Sequence, residues 1–205
     1  MTVASVIDLP PVFDGIEAVC FDAFGTLVEI ANPQQAFVPL FRALPADKRR
    51  ELKHRLMREA QAVHDWPMLL GAEVDPITML DVSARVMAEV YSVAMRPGMA
   101  NIWTRLRGQG LKLAVCSNLA SPYGTVIRHT LPDYPDVEVL SYKVGAIKPD
   151  PAIYARVIEG LKVEPDKVLF VGDTMKADIE GPQAVGMKAL HVDELVRIMG
   201  RDSRF

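Results

Sequence analysis

Short, almost unbroken apolar runs punctuate the chain at wide intervals. They fall at about Glu17–Phe21, Leu111–Cys116, Val137–Ser141, Val168–Val171 and Met187–His191. Each is short and mostly apolar, without the in–out alternation of a half-solvated strand, so each predicts a strand covered on both faces. Helices are expected between them. Ser121-Pro122 and Asp150-Pro151 each offer a capping residue followed by proline at the first helical position. Strands alternating with helices predict an α/β fold with a doubly wound parallel sheet.

One stretch interrupts the alternation. From about residue 30 to residue 96 the chain offers no convincing strand. Leu52, Leu56, Ala60 and Val63 share one helical face, and Ile77, Leu80, Ala84, Met87, Tyr91 and Ala94 recur at spacings of three and four. The expectation is a helical insertion whose methionine and aromatic positions form its own core. Residues 1–14, with Pro10-Pro11, predict a loose lead-in. Asp193 to Phe205 predicts either a helix lying on the core or a contact for a partner.

Composition narrows the picture. The 205 residues fit one domain, or one core domain with a modest insertion. Half of them are hydrophobic and the net charge is −3, so a sizeable core is expected. No basic surplus suggests nucleic acid or anionic lipid as a partner. No apolar run approaches the roughly 18 residues of a membrane span, and no secretory leader is visible, so a cytoplasmic protein is expected. Cys20 and Cys116 sit at the ends of predicted strands, outside any CxxC pair, and are expected to be small core residues rather than a disulfide.

Candidate chemistry gathers at the strand ends. Asp22 follows the first apolar run directly and is followed by Gly25-Thr26, so a carboxylate is delivered to a sheet edge where the chain turns. Such edges are where open α/β sheets bind ligands, and a carboxylate there serves either as a nucleophile or as a turn cap. Thr26 either bonds back to orient Asp22 or is a plain turn residue. Ser117 and Asn118 end the second run, as an anion cradle or an ordinary strand-to-helix turn. Lys148 precedes Pro149-Asp150-Pro151, either solvated or neutralising charge at the site. Asp173 ends the Val168–Gly172 run as an N-cap or a metal ligand, and Asp178 lies five residues on. Two further carboxylates beside Asp22 would repel it unless a cation is present, and Mg²⁺ is the natural partner for a few carboxylates and a phosphate. In the insertion, Arg42, His64 and Trp66 are candidates to face a substrate, though helix surface or packing accounts for each.

Taken in order, Phe21-Asp22-Ala23-Phe24-Gly25-Thr26-Leu27, Cys116-Ser117-Asn118, Lys148-Pro149-Asp150-Pro151 and Gly172-Asp173 with Asp178 closely resemble the four motifs of the haloacid dehalogenase superfamily of aspartate-nucleophile hydrolases. The resemblance runs over roughly residues 16–192. It implies a Rossmann-like core, residues 1–29 and 97–205, with an inserted helical C1 cap, residues 30–96. It further implies Asp22, Lys148 and Thr26 as catalytic residues and Ser117 with Asn118 as substrate-binding. Mg²⁺ would be held by Asp22, Asp173, Asp178 and the backbone carbonyl of Phe24.

Position 24 departs from the pattern. Most phosphatases of the superfamily carry there a second Asp that protonates the leaving group; this chain carries Phe24. An aromatic at that place resembles the 2-haloacid dehalogenases, whose carboxylate displaces halide without a metal. The fourth motif, Val171-Gly172-Asp173, resembles instead the metal-binding form, and no dehalogenase-like cap segment is evident beyond Arg42. The expectation is an Mg²⁺-dependent phosphohydrolase, slow or narrow, acting on a small phosphorylated metabolite as a monomer or homodimer, since a cap excludes polymers. The alternatives are a dehalogenase and a non-catalytic phosphometabolite-binding protein.

Overall fold

The computed structural model describes residues 9–201. After a 3₁₀ turn at Pro11–Phe13, β1 (Ala18–Phe21) leads to a tight loop and β2 (Val28–Ile30). The insertion follows, with α1 (Val38–Ala43), α2 (Ala46–Arg55), α3 (Trp66–Leu70), α4 (Pro76–Tyr91) and β3 (Val93–Met95). The chain then runs α5 (Met99–Gly108), β4 (Lys112–Ser117), α6 (Gly124–Thr130), β5 (Val137–Leu140), α7 (Ser141–Val144) and α8 (Pro151–Leu161). It closes with β6 (Val168–Gly172), a π-helical turn at Met175–Glu180, α9 (Gly181–Ala184), β7 (Lys188–His191) and α10 (Val192–Arg201).

Five strands form one parallel sheet in the order β5-β4-β1-β6-β7. The first strand in sequence is therefore the central one, with Phe21 paired to Val115 on one side and Val171 on the other. Its composition requires that place. Ala18, Val19, Cys20 and Phe21 are all fully buried, which only a strand covered above, below and on both edges achieves.

Successive side chains point to opposite faces, and two cores result. Val19, Phe21, Leu113, Val115, Leu169 and Val171 face one layer, filled by Trp103 and Leu106 of α5 and by Val192, Leu195 and Met199 of α10. Ala18, Cys20, Ala114, Cys116 and Phe170 face the other, filled by Ile153, Tyr154 and Val157 of α8. The small residues on that second face let α8 sit close. Both cysteines are buried and unpaired, as expected. Asp150 caps α8, accepting from the Ala152 amide at 3.0 Å. Ser121 makes no such cap bond; it lies in a 3₁₀ turn, Ser121–Tyr123, that precedes α6.

The insertion departs from expectation in three ways. It ends on a strand, β3, which pairs antiparallel with β2 and draws the two ends of the insertion together. Second, α2 stops at Arg55, so Ala60 and Val63 do not continue the face of Leu52, although Leu52 and Leu56 are buried. Third, Ile77, Leu80, Ala84, Met87, Tyr91 and Ala94 are all exposed, Tyr91 at 80%. The buried side of α4 is Val82, Val86 and Glu89. At about 100° per residue these lie on the opposite side of the helix. Two stripes at helical spacing exist on α4, and the shorter one, two valines and a glutamate, packs inward.

At the termini, Phe13 is buried, so residues 9–14 are not loose, and α10 rests on the sheet through Leu195 and Met199. Residues 1–8 of the lead-in and 202–205 of the C-terminal segment lie outside the described residues. No helix among the described residues is long and apolar enough to cross a membrane.

Candidate active site

Central placement of β1 puts Asp22 at the middle of the carboxyl edge of the sheet, with the ends of β4 and β6 on either side. The Asp22 amide still continues the ladder, donating to the Val171 carbonyl at 2.9 Å. The chain then folds back sharply, and the Ala23 carbonyl accepts from the amides of Thr26, Leu27 and Val28. Gly25 has φ +84°, and a Cβ on it would lie 2.3 Å from Asp173 Oδ2. Only glycine lets this loop approach the loop after β6.

Four side chains converge. Ser117 Oγ donates to Asp22 Oδ1 at 3.1 Å, and Lys148 Nζ donates to the same oxygen at 2.7 Å. Lys148 Nζ also donates to Asp178 Oδ1 at 2.7 Å, and its ammonium stands 5.2 Å from the Phe170 ring centroid. Asp178 takes a second bond, at Oδ2, from the Thr174 amide at 3.0 Å. Asp173 stands exposed at the mouth, its Oδ1 accepting from Thr174 Oγ1. Asp22, Asp173 and Asp178 each bring an oxygen within 4.8 Å of the others. The hollow they enclose, about 240 Å³, is lined also by Phe24, Ser117, Asn118 and Lys148.

Electrostatics follows from burial. Burial pushes the Asp22 pKa above the ordinary aspartate value; Lys148 opposes the rise and Asp178 adds to it. Burial also works against the Lys148 ammonium, but attraction to Asp22 first, and to Asp178, raises its pKa overall. The lysine thus stays charged. Three carboxylates gather where one ammonium meets two of them, and the excess negative charge, with oxygen donors alone, suits a hard divalent cation such as Mg²⁺.

Asn118 does something else than expected. Its Nδ2 donates to the Lys148 carbonyl at 2.9 Å, and its Oδ1 accepts from the Lys148 amide at 2.7 Å. This two-way clamp ties the loop after β4 to the loop that presents Lys148, whose bond to Pro149 is cis. Thr26 is a correction. Its Oγ1 is buried and finds no hydrogen-bond partner among the described residues, so it does not orient the Asp22 carboxylate. The turn is held by backbone bonds, and Ser117 and Lys148 hold the carboxylate instead. None of Arg42, His64 and Trp66 lines the hollow. Trp66 is a buried packing residue under Arg55, and His64 and Arg42 are on the surface.

Two supports were not anticipated from sequence. Arg96 Nη1 donates to the Gly25 carbonyl at 2.9 Å and Nη2 to Asp193 Oδ1 at 2.6 Å, bracing the loop after Asp22 against α10. The Tyr123 phenol donates to buried Glu89 of α4, which also accepts from the Gln34 amide at 2.8 Å. The Phe24 ring meets Tyr123 edge to face, 5.9 Å between centroids. Glu89, the acid on the same helical face as Val82 and Val86, was the available sign of this link.

Comparison with known proteins agrees with this geometry. The family model for haloacid dehalogenase-like hydrolases matches residues 16–186, and the chain belongs to that family. A glyceraldehyde 3-phosphate phosphatase of Pyrococcus abyssi is 29% identical over 96 residues, 46% of this chain and 40% of that protein. The chain thus spans about two fifths of the length of that relative. The solved structure of a phosphatase of the family from Thermococcus onnurineus, 25% identical, covers 90% of this chain and 98% of its own with a TM-score of 0.61. A family enzyme from Bacteroides thetaiotaomicron, solved with magnesium and inorganic phosphate, shares the fold at 15% identity and a TM-score of 0.62, over 86% of this chain and 93% of its own.

Proposed function

We propose that this member of the haloacid dehalogenase-like hydrolase family is a phosphohydrolase acting on a small phosphorylated metabolite through Asp22. The observation that carries the reading is the convergence of Ser117, Lys148 and three carboxylates on one oxygen-lined hollow at the sheet edge. A dehalogenase works without a metal, and so has no use for three carboxylates arranged to hold a cation.

The steps need few groups. An Asp22 carboxylate oxygen attacks phosphorus, the bond from phosphorus to the ester oxygen breaks, and that oxygen leaves with the electron pair. Water then attacks the aspartyl phosphate at phosphorus, the bond to Asp22 breaks, and the free carboxylate returns with inorganic phosphate. Lys148 and the Ser117 hydroxyl stand where negative charge would gather on the transferring group. A bound Mg²⁺, held by Asp22, Asp173, Asp178 and the Phe24 carbonyl, would supply charge neutralisation to the phosphoryl oxygens. Asn118 acts as a positioning residue for Lys148. Residues 30–96 act as a cap over a core of residues 1–29 and 97–205.

Phe24 has no proton to give. The leaving oxygen departs unprotonated unless the substrate carries its own acid, which favours esters and anhydrides of stable anions. Loss of a general acid costs about 10²- to 10⁴-fold in rate. The test is hydrolysis of para-nitrophenyl phosphate, acetyl phosphate and L-2-chloropropionate, each with Mg²⁺ and with EDTA, against Asp22→Asn. Phosphate release that requires Mg²⁺ and disappears in Asp22→Asn is expected. Chloride release that survives EDTA would overturn the reading, and saturable phosphate-ester binding without product would make the protein a binder.

A further inference from the structure

A second hollow, about 180 Å³, opens beside the first and shares Phe24 and Asn118 with it. Its core-side wall is Phe24, Leu119 and Tyr123, and its facing wall comes from the insertion, through Phe37, Leu56 and Met57. None of its lining residues is charged. The two that carry polar groups have them engaged elsewhere: Asn118 is clamped to the Lys148 backbone, and the Tyr123 phenol donates to Glu89. A sugar or polyol placed there would lose water and find no partner for its hydroxyls.

We infer that this hollow is the leaving-group subsite, and that the substrate is a phosphate of a compact apolar group, an aromatic ring or short hydrocarbon joined through a phenolic or carboxylate oxygen. The inference rests on the phosphohydrolase reading above. Size agrees, since a cavity of about 150 Å³ admits benzene. Surface chemistry agrees, since three aromatic rings contribute to the walls and Phe24 already meets Tyr123 in the edge-to-face arrangement that an incoming ring would extend. Chemistry at phosphorus agrees independently. The residue that lines both hollows is Phe24, and its lack of a proton demands an oxygen that leaves as a stable anion, as phenolic and carboxylate oxygens do. One side chain thus both selects the organic group and restricts the bond that breaks. The glyceraldehyde 3-phosphate named for the P. abyssi relative would gain nothing from these walls.

Acetyl phosphate and benzoyl phosphate test the inference at nearly constant leaving-group basicity. With Mg²⁺, kcat/KM for benzoyl phosphate is expected to exceed that for acetyl phosphate on the order of tenfold or more. Met57→Gln, which places an amide on the wall, should shrink that ratio. Binding of phenylphosphonate and methylphosphonate to the wild-type protein, by calorimetry, gives a readout without turnover, and the phenyl compound should bind more tightly. Equal rates for the two acyl phosphates, with equal phosphonate affinities, overturn the subsite while the phosphohydrolase reading stands. If neither acyl phosphate is cleaved, the phosphohydrolase reading falls, and tighter phenylphosphonate binding still assigns the hollow to an apolar group. Faster hydrolysis of glycerol 3-phosphate than of benzoyl phosphate also overturns it.

Discussion

The Tyr123 phenol, on the core loop after Ser117, donates its hydrogen bond to the buried Glu89 carboxylate on α4 of the insertion. Glu89 also accepts from the amides of Gln34 and Ala36, at 2.8 and 3.3 Å. One acid therefore joins the two parts of the chain that wall the apolar hollow. Tyr123→Phe removes one donor and leaves the two amides in place, and a loss of about 1 kcal/mol is expected. Glu89→Ala strands two amides and a phenol, and should cost about 2–3 kcal/mol or more. Thermal unfolding of the two variants checks the order; a Tyr123→Phe loss equal to that of Glu89→Ala would mean the amides do not need the acid.

Lys148 holds Asp22 and Asp178 with one ammonium, and all three side chains are nearly inaccessible. Lys148→Met leaves two buried carboxylates without their cation, a change that typically costs about 3–5 kcal/mol. Added Mg²⁺ should return part of that stability to the variant by replacing the missing charge. Melting curves with and without Mg²⁺ decide it: a variant indifferent to the metal would show that the carboxylates do not form a cation site.

Gly172 lies against Asp178, and a Cβ there would stand 2.3 Å from the Asp178 carboxyl carbon. Gly172→Ala must move Asp178 away from Lys148 and from the other two acids. A weaker Mg²⁺ affinity, with turnover partly recovered at high Mg²⁺, is the expected outcome. An unchanged activation curve in a Mg²⁺ titration would remove Asp178 from the cation site.

Phe24→Asp places a proton donor two residues after Asp22, the proposed nucleophile. Turnover of alkyl phosphates, whose leaving oxygens are basic, should rise by about 10²- to 10⁴-fold, while acyl phosphates gain little. The slope of log kcat against leaving-group pKa measures this. A parallel rise for all substrates would mean that Phe24 limits something other than leaving-group protonation.

Asp136 gives a pH dependence remote from the site. Burial tends to raise its pKa, but the Leu113 amide at 2.7 Å and the Arg107 guanidinium outweigh it and lower the pKa below 3.8. A carboxylate with a lowered folded-state pKa stabilises above the unfolded value and loses that contribution as pH falls through the folded one. The wild type should therefore exceed Asp136→Asn in stability at pH 7, by less than about 1 kcal/mol because the pair is partly exposed. The gap should close below about pH 4. A gap that is constant between pH 7 and pH 3 would show that the charge does not matter.

The sheet was legible because a strand buried on both faces can hardly be written in anything but an apolar run: all five predicted runs are strands, each within a residue or two of its observed limits. Asp22, Ser117, Lys148 and Asp173 stand beside such a run or a proline-marked turn, but it was the resemblance of four motifs in order that singled them out, and Asp178 with them. What sequence did not disclose was direction. The Ile77–Leu80–Met87–Tyr91 stripe has faultless helical spacing and faces solvent, because spacing identifies a side of a helix without saying what lies against it. Asn118 and Thr26 show the same limit at the level of one side chain. Amide and hydroxyl type are compatible with several partners, and the choice of the Lys148 backbone for one and of no partner for the other is made by three-dimensional neighbours alone.

Central placement of β1 has a consequence for how this protein comes into being. Asp22 is separated from Ser117 by 95 positions and from Lys148 by 126. During synthesis at about 5–20 residues per second, the carboxylate waits roughly 6–25 s before its ammonium partner has even been polymerised. Over that interval the middle strand of the sheet has no neighbour on the β6 side, and its apolar edge is open to other chains. The same arrangement that places Asp22 between two strand ends makes the earliest part of the chain the one that most needs shelter until the later part arrives.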